Sequence, residues 1–108
     1  MNEYDTLSSN NNQVTINTTG FRLYSAHLQL TENVTLDISG QSMGDYGTII
    51  IDQDASGNNT VTLPTANSKV VGDGGSTFTP AANERMILSY FYDGEFNWNV
   101  GENYGLTS

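Results

Sequence analysis

Short runs of apolar residues, each followed by small or polar residues, dominate the hydrophobic pattern of this chain. In residues 34–38 the polar and apolar side chains alternate strictly, which places Val34, Leu36 and Ile38 on one face of a β-strand. Residues 14–16 show the same alternation, and no segment has the 3.6-residue period of an amphipathic helix. The pattern therefore predicts an all-β domain of about eight strands, arranged as a small antiparallel β-sandwich or a jelly roll.

In one segment the alternation of apolar and polar residues changes phase. Its apolar positions are Phe21, Leu23, Ala26, Leu28 and Leu30. A one-residue change of phase turns the following side chains to the other face of a strand. We therefore expect a β-bulge or a corner near Tyr24 and Ser25.

Two pairs of apolar runs are separated by turn-forming residues and predict β-hairpins. Residues 47–51 and 60–64 flank a connection rich in Gly, Asn and Asp. Residues 85–92 and 95–100 flank an Asp-Gly pair at positions 93–94, which suits the positive φ angles of a tight turn. Each pair is expected to form two neighbouring antiparallel strands.

The strand predicted at residues 85–92 is apolar on both faces. Ile87 and Phe91 lie on one face, and the opposite face carries Met86, Leu88, Tyr90 and Tyr92. A single small core cannot readily cover both faces of this strand and of the isoleucine run at 49–51, so apolar surface is left over for an interface. We expect the chain to self-associate, and the side chains assigned to the oligomer interface are Met86, Leu88, Tyr90 and Tyr92.

Length and charge narrow the class of protein. The 108 residues suffice for one domain, and the absence of cysteine leaves the redox compartment open. Three basic residues against twelve acidic ones give a net charge of -9, which repels nucleic-acid phosphates and anionic membranes. No apolar run has the length of a membrane span, and residues 1–5 lack the features of a secretion signal, so synthesis in the cytoplasm is expected.

Catalytic and metal-binding patterns are weak. The chain has no cysteine and a single histidine, His27, and it lacks the spacing of a zinc site or of a serine nucleophile motif. Asp52 and Asp54 resemble the start of a calcium loop, but Leu63 stands where the closing glutamate is needed. We therefore expect no catalytic residue, no cofactor and no metal, and we expect the aspartates to bond local backbone in a turn.

Two weaker alternatives remain open. A loop-built cation site at Asp73 or Asp93 is not specified by any spacing, although both carboxylates lie in turn-like segments. Trp98 with several tyrosines could form a platform for sugar rings, whereas its alternation with Phe96 and Val100 favours burial in a core or an interface. The tyrosines in question are Tyr46, Tyr90, Tyr92 and Tyr104.

The order of several short motifs resembles a known family. These motifs are Leu30-Thr31-Glu32-Asn33-Val34-Thr35-Leu36, Gly47-Thr48-Ile49-Ile50-Ile51, Gln53-Asp54, Gly57, Thr60-Val61-Thr62-Leu63-Pro64, Lys69, Gly74-Gly75, Thr79-Pro80-Ala81-Ala82-Asn83, Ile87-Leu88-Ser89-Tyr90-Phe91-Tyr92-Asp93-Gly94, Trp98 and Asn103-Tyr104. Together they cover most of residues 21–104, which resemble the small β-sandwich modules of bacteriophage virion proteins. Such modules occur in tail fibres, head fibres and related capsid appendages.

The resemblance implies a non-enzymatic structural protein, commonly trimeric, that is displayed on a virion and contacts a capsid or tail protein of the same particle. The chain lacks the long shaft of a fibre, which favours a head-fibre, decoration or spike component. The resemblance implies no fixed set of binding residues. A carbohydrate-binding module or a tail-fibre adhesin that binds a host surface glycan is the competing class.

The polar composition also suggests how the chain is divided. Residues 1–12 end in a Ser/Asn tract and are expected to form a flexible arm, either a frayed terminus or a peg that anchors the protein to the virion. Residues 13–104 are expected to form the β-sandwich domain, and residues 105–108 a C-terminal tail.

Overall fold

A computed structural model describes residues 4–64, 68–70 and 77–106, and this part of the chain contains β-strands and no helix. Its ten strands are β1 (Tyr4–Leu7), β2 (Gln13–Asn17), β3 (Leu23–Gln29), β4 (Val34–Ser39), β5 (Tyr46–Asp52), β6 (Val61–Thr62), β7 (Ser68–Val70), β8 (Thr77–Phe78), β9 (Glu84–Tyr92) and β10 (Asn97–Leu106). The all-β class predicted from the sequence is confirmed.

The strands form two sheets. Sheet A has six strands in the order β1-β3-β5-β9-β10-β7, and sheet B has four in the order β2-β4-β6-β8. From β1 to β9 the chain moves from one sheet to the other at every step. Strands β1, β3 and β5, and strands β2, β4, β6 and β8, therefore lie beside the strand two places away in sequence. In contrast, β9 lies between β5 and β10, and β7 lies beside β10.

This alternation makes both sheets mixed. β1, β3 and β5 are parallel neighbours in sheet A, and β2, β4 and β6 are parallel neighbours in sheet B. One strand of sheet A and the following strand of sheet B thus form a unit, and successive units pair in parallel, as the repeats of a solenoid do. Antiparallel pairing is found at β5–β9, β9–β10 and β6–β8. The expected purely antiparallel arrangement is wrong, because alternation within a strand indicates which face is buried but not the direction of the neighbouring strand.

The two predicted hairpins have opposite outcomes. The pair at 47–51 and 60–64 is wrong, because β5 lies in sheet A and β6 in sheet B. The second hairpin is confirmed, since β9 and β10 are antiparallel with Tyr92 opposite Asn97. Its loop spans residues 93–96, two more than expected, and Gly94 adopts a φ of 100°, where glycine is favoured.

The inward side chains of both sheets form one hydrophobic core. Its buried members are Val14, Ile16, Tyr24, Ala26, Leu28, Leu30, Val34, Leu36, Ile38, Ile49, Ile51, Val61, Leu63, Met86, Leu88 and Tyr90. The core thus draws on β2 to β6 and on β9, with Leu7, Phe21 and Phe78 packed against its margin.

Strand β3 is regular, so the predicted bulge near residues 24–25 is wrong. Tyr24, Ala26 and Leu28 are buried in strict alternation, and Leu23 faces outward. The apparent change of phase arose because Tyr24 and not Leu23 takes the core position. The Tyr24 hydroxyl remains satisfied there by donating a hydrogen bond to Asp5 Oδ2 at 2.8 Å.

Part of the segment expected to form an N-terminal arm lies in sheet A. β1 pairs with β3 in parallel, Leu7 packs against the core, and the Asn12 side chain donates a hydrogen bond to the Asn33 carbonyl. Tyr4–Leu7 therefore form the edge strand of sheet A, while the arm and the anchoring role expected of residues 1–12 stay predictions. β10 continues to Leu106 and thus includes residues 105–106 of the expected tail; residues 1–3 and 107–108 lie outside the described part.

The four side chains assigned to an oligomer interface lie on the inner side of β9. Met86, Leu88 and Tyr90 are buried in the core of this chain, and Tyr92 is half-buried. Core contacts already cover Met86, Leu88 and Tyr90, whereas Tyr92 is partly exposed. The exposed side of β9 is the opposite one.

Candidate functional site

Three aromatic side chains lie side by side on the outer face of sheet A. Tyr46 of β5 is opposite Phe91 of β9, and Phe91 is opposite Trp98 of β10. They are 47%, 49% and 41% exposed, respectively. We call Tyr46, Phe91 and Trp98 the aromatic row. They occupy outward positions because their neighbours Gly47 and Tyr90 face the core.

The hairpin turn holds Trp98 in place. Its indole Nε1–H donates a hydrogen bond to Asp93 Oδ2 at 2.7 Å, while Asp93 Oδ1 accepts from the backbone N–H groups of Phe96 and Glu95 at 2.7 and 2.8 Å. The Phe96 amide first, and then the Trp98 indole, lower the pKa of the Asp93 carboxyl. A carboxylate at the turn therefore orients an exposed ring, so Trp98 does not belong to the core of this chain.

The structure rearranges the aromatic platform considered from the sequence. Of the proposed tyrosines, only Tyr46 lies in the same row as Trp98. Tyr90 faces the core, Tyr92 borders a pocket, and the side chain of Tyr104 lies outside the described part. Phe91, which joins Tyr46 to Trp98, was not recognised as a site residue, although its alternation with Tyr90 was the available signal.

A small pocket opens at the hairpin end of the molecule. It lies between the end of β4 and the β9–β10 hairpin, and its volume is about 210 Å³. Residues 38–41 form one wall, and Tyr92, Glu95 and Asn97 form the other. Since these walls come from distant parts of the sequence, no local sequence motif predicts the pocket.

The opposite end of sheet A carries an ion cluster. Arg85 Nε and a terminal Arg85 nitrogen donate to the two Asp52 oxygens at 2.8 and 2.9 Å, and His27 Nε2 lies 2.8 Å from Asp52 Oδ2. The hydrogen bond from Arg85, together with that to His27, lowers the pKa of the Asp52 carboxyl despite its burial. The cluster ties β3, β5 and β9 together, which is a structural role for His27.

The calcium-loop pattern is divided between two sets of partners. Asp52 belongs to the ion cluster, while Asp54 Oδ1 accepts hydrogen bonds from the backbone of Ser56 and Gly57 within its own turn. The turn bonding expected of the aspartates is therefore confirmed for Asp54 and wrong for Asp52. In the described part of the chain, no group of three His, Asp or Glu side chains is placed to hold a metal ion, and Asp73 lies outside it.

Comparisons with models of protein families, with curated proteins and with solved structures found no match. Within the described residues there is no helix of the length and apolarity needed to cross a membrane. The function must therefore be inferred from the aromatic row and the pocket themselves.

Proposed function

We propose that this chain is a non-enzymatic structural protein of a bacteriophage virion, a head-fibre, decoration or spike component that assembles as a homotrimer. The observation that carries the proposal is the aromatic row on the outer face of sheet A. Two sheets that share one core are compatible with the β-sandwich module implied by the sequence resemblance. The capsid or the tail supplies the attachment partner.

Charge favours the aromatic row as the contact between copies. With a net charge of -9, copies of this chain repel one another over most of their surface. The row itself is uncharged, and the next positions along β5 and β9 are Thr48 and Ser89. An apolar strip bordered by hydroxyl groups is typical of an interface.

The exposed area is sufficient to contribute to assembly. An aromatic side chain covers roughly 200 Å², so burying the exposed half of one ring stabilises a complex by about 2 kcal/mol. Near a threefold axis the same residues of all three copies meet, so one row on each copy serves the whole trimer. The interface therefore uses the face of β9 opposite to Met86, Leu88 and Tyr90.

Light scattering coupled to size exclusion tests the assembly. The unmodified chain is expected to elute with three times its own mass at micromolar concentration, and Phe91→Asp is expected to elute as a folded monomer. Thr6→Asp is the matched control, because it adds the same charge to the outer face of edge strand β1 and should leave a trimer. A monomeric unmodified chain would refute the trimer.

Cryo-electron microscopy of purified particles tests the location. Density for the domain at regular positions on the capsid or tail is the expected result, and mass spectrometry of the same particles provides the chemical identification. Particles that lack the protein altogether would contradict a structural role in the virion.

A carbohydrate-binding module is the second candidate, and the fixed orientation of Trp98 is the observation that favours it. An exposed ring held by Asp93 offers a flat apolar face, the kind of surface on which sugar rings stack. A glycan array separates the candidates, because a purely structural protein should show no saturable binding. Loss of array binding in Trp98→Ala would assign the binding to the row.

A further inference from the structure

Two residues that line the pocket at the hairpin end carry buried polar atoms without partners among the described residues. Asn97 is 1% exposed, and its Oδ1 atom has no hydrogen-bond partner among the described residues. The same is true of the buried Nε2 atom of Gln41, on the opposite wall. A buried polar atom left unpaired costs about 1–3 kcal/mol, so folding retains this pair at a penalty.

The wall that carries Gln41 is held in a defined position. The backbone N–H and the hydroxyl of buried Thr18 both donate to the Ser39 carbonyl, at 2.9 and 3.0 Å. Gly40 has a φ of 80°, and a Cβ atom there would collide with Asn17 Oδ1 and Thr19 Oγ1. The backbone at position 40 thus packs too closely to accept a side chain, and this wall of the pocket is held in place before any ligand binds, as in most ligand sites.

We propose that this pocket binds a neutral, hydroxyl-rich ligand, namely one sugar residue of a glycan. A hydroxyl group donates and accepts at once, so adjacent hydroxyls of a sugar ring satisfy the Asn97 acceptor and the Gln41 donor when the two side-chain amides turn towards the pocket. This inference deepens the second candidate function by naming a site that is separate from Trp98.

Charge and size narrow the ligand class. Glu95 is the charged residue in the lining, and together with the overall negative charge it disfavours an anion. The Gln41 N–H donor disfavours a metal cation, which needs oxygen ligands. A volume of about 210 Å³ corresponds to roughly seven water molecules of about 30 Å³ each, enough for one small ring but not for a chain of sugars.

Heteronuclear NMR provides a direct test, because the side-chain amides of Asn97 and Gln41 give their own signals. The unmodified chain is titrated with a panel of neutral methyl glycosides and, in separate samples, with calcium chloride. Saturable shifts of both amide signals with at least one glycoside are expected. Shifts with calcium alone, or no shift of these signals with any glycoside, would overturn the proposal and indicate a cation site or a water-filled pocket.

Variants distinguish the pocket from the aromatic row. Gln41→Ala is expected to weaken glycoside binding about tenfold, the equivalent of one lost hydrogen bond of about 1.4 kcal/mol. Glu95 lies in the exposed turn, so Glu95→Gln should retain the fold while changing the affinity of the pocket for the glycoside. Gln13→Ala is the control and should leave glycoside binding unchanged. It also removes a glutamine amide, but this exposed amide bonds Thr15 on β2 at 3.4 Å and does not line the pocket.

The pattern of losses identifies which proposal fails. If Trp98→Ala abolishes binding while Gln41→Ala and Glu95→Gln leave it unchanged, the pocket proposal is overturned and the carbohydrate-binding candidate stands. If no glycoside binds at all, both are overturned and the virion structural proposal is unaffected.

Discussion

Neutralising Asp52 should destabilise the fold, because this one carboxylate joins three strands of sheet A. Its side chain is 13% exposed and receives two hydrogen bonds from Arg85 and one shared with His27, at 2.8 to 2.9 Å. Hydrogen bonds to a charged group contribute about 1.5–3 kcal/mol each when buried. Arg85 is 40% exposed and regains water when the charge is removed. We therefore expect Asp52→Asn to lower the free energy of unfolding by about 2 kcal/mol.

The effect of pH has a definite sign. The pKa of the Asp52 carboxyl is lower in the folded chain than its ordinary value of 3.8. Its stabilising contribution is therefore complete above the ordinary pKa and is lost as the pH falls through the folded value. The stability difference between the unmodified chain and Asp52→Asn should be full at pH 7 and should narrow below about pH 4.

Thermal and urea denaturation, followed by circular dichroism between pH 7 and pH 2, measure both effects. About 2 kcal/mol corresponds to a fall in Tm of roughly 8 °C for a domain of this size. Glu95→Gln is the matched control, since it removes one negative charge from an exposed turn and should change stability by less than about 0.5 kcal/mol. A difference that is absent at pH 7, or that stays constant down to pH 2, would refute the role assigned to Asp52.

Three further predictions concern the core and the N-terminal edge. Gly47→Ala should lower stability by about 2 kcal/mol in urea denaturation, because a Cβ atom would lie 2.7 Å from the Tyr90 hydroxyl; an unchanged midpoint would contradict this packing. Leu88→Ala, at a fully buried position, should cost about 3 kcal/mol, whereas Ile87→Ala on the half-buried outer side should cost clearly less, and equal costs would contradict the facing of β9. Deleting residues 1–12 should lower the Tm by several degrees, since it removes β1 from sheet A; an unchanged Tm would support the flexible-arm interpretation.

The local pattern of apolar, polar and turn-forming residues was sufficient to predict structural features that depend only on residues close together in sequence. The alternation at residues 34–38 correctly assigned the buried face of β4, and the turn chemistry of Asp93 and Gly94 correctly placed the β9–β10 hairpin. Both succeed because a strand has a period of two and a short loop joins strands that are adjacent in sequence. The same reasoning failed for β5 and β6, whose connection has turn-like residues but leads to the other sheet.

The candidate site shows the same division. From the sequence, β9 was expected to be apolar on both faces, and so it is, but which face lies in the core could not be read from β9 alone. That depended on the positions of β5 and β10, which direct Leu88 inward and leave Phe91 beside Tyr46 and Trp98. The side of β9 that carries Met86, Leu88 and Tyr90 therefore lies in the core of this chain, which only tertiary packing determines.

The sequence by itself determined that this chain is all-β, acidic, and interrupted by turns at regular intervals, since these properties follow from composition and from spacing within single strands. The tertiary structure alone decided the parallel stacking of β1, β3 and β5, the aromatic row, and the pocket between residues 38–41 and the β9–β10 hairpin. These features join segments that are distant along the chain. Their formation depends on how two sheets cover one core, a property that no local pattern of residues encodes.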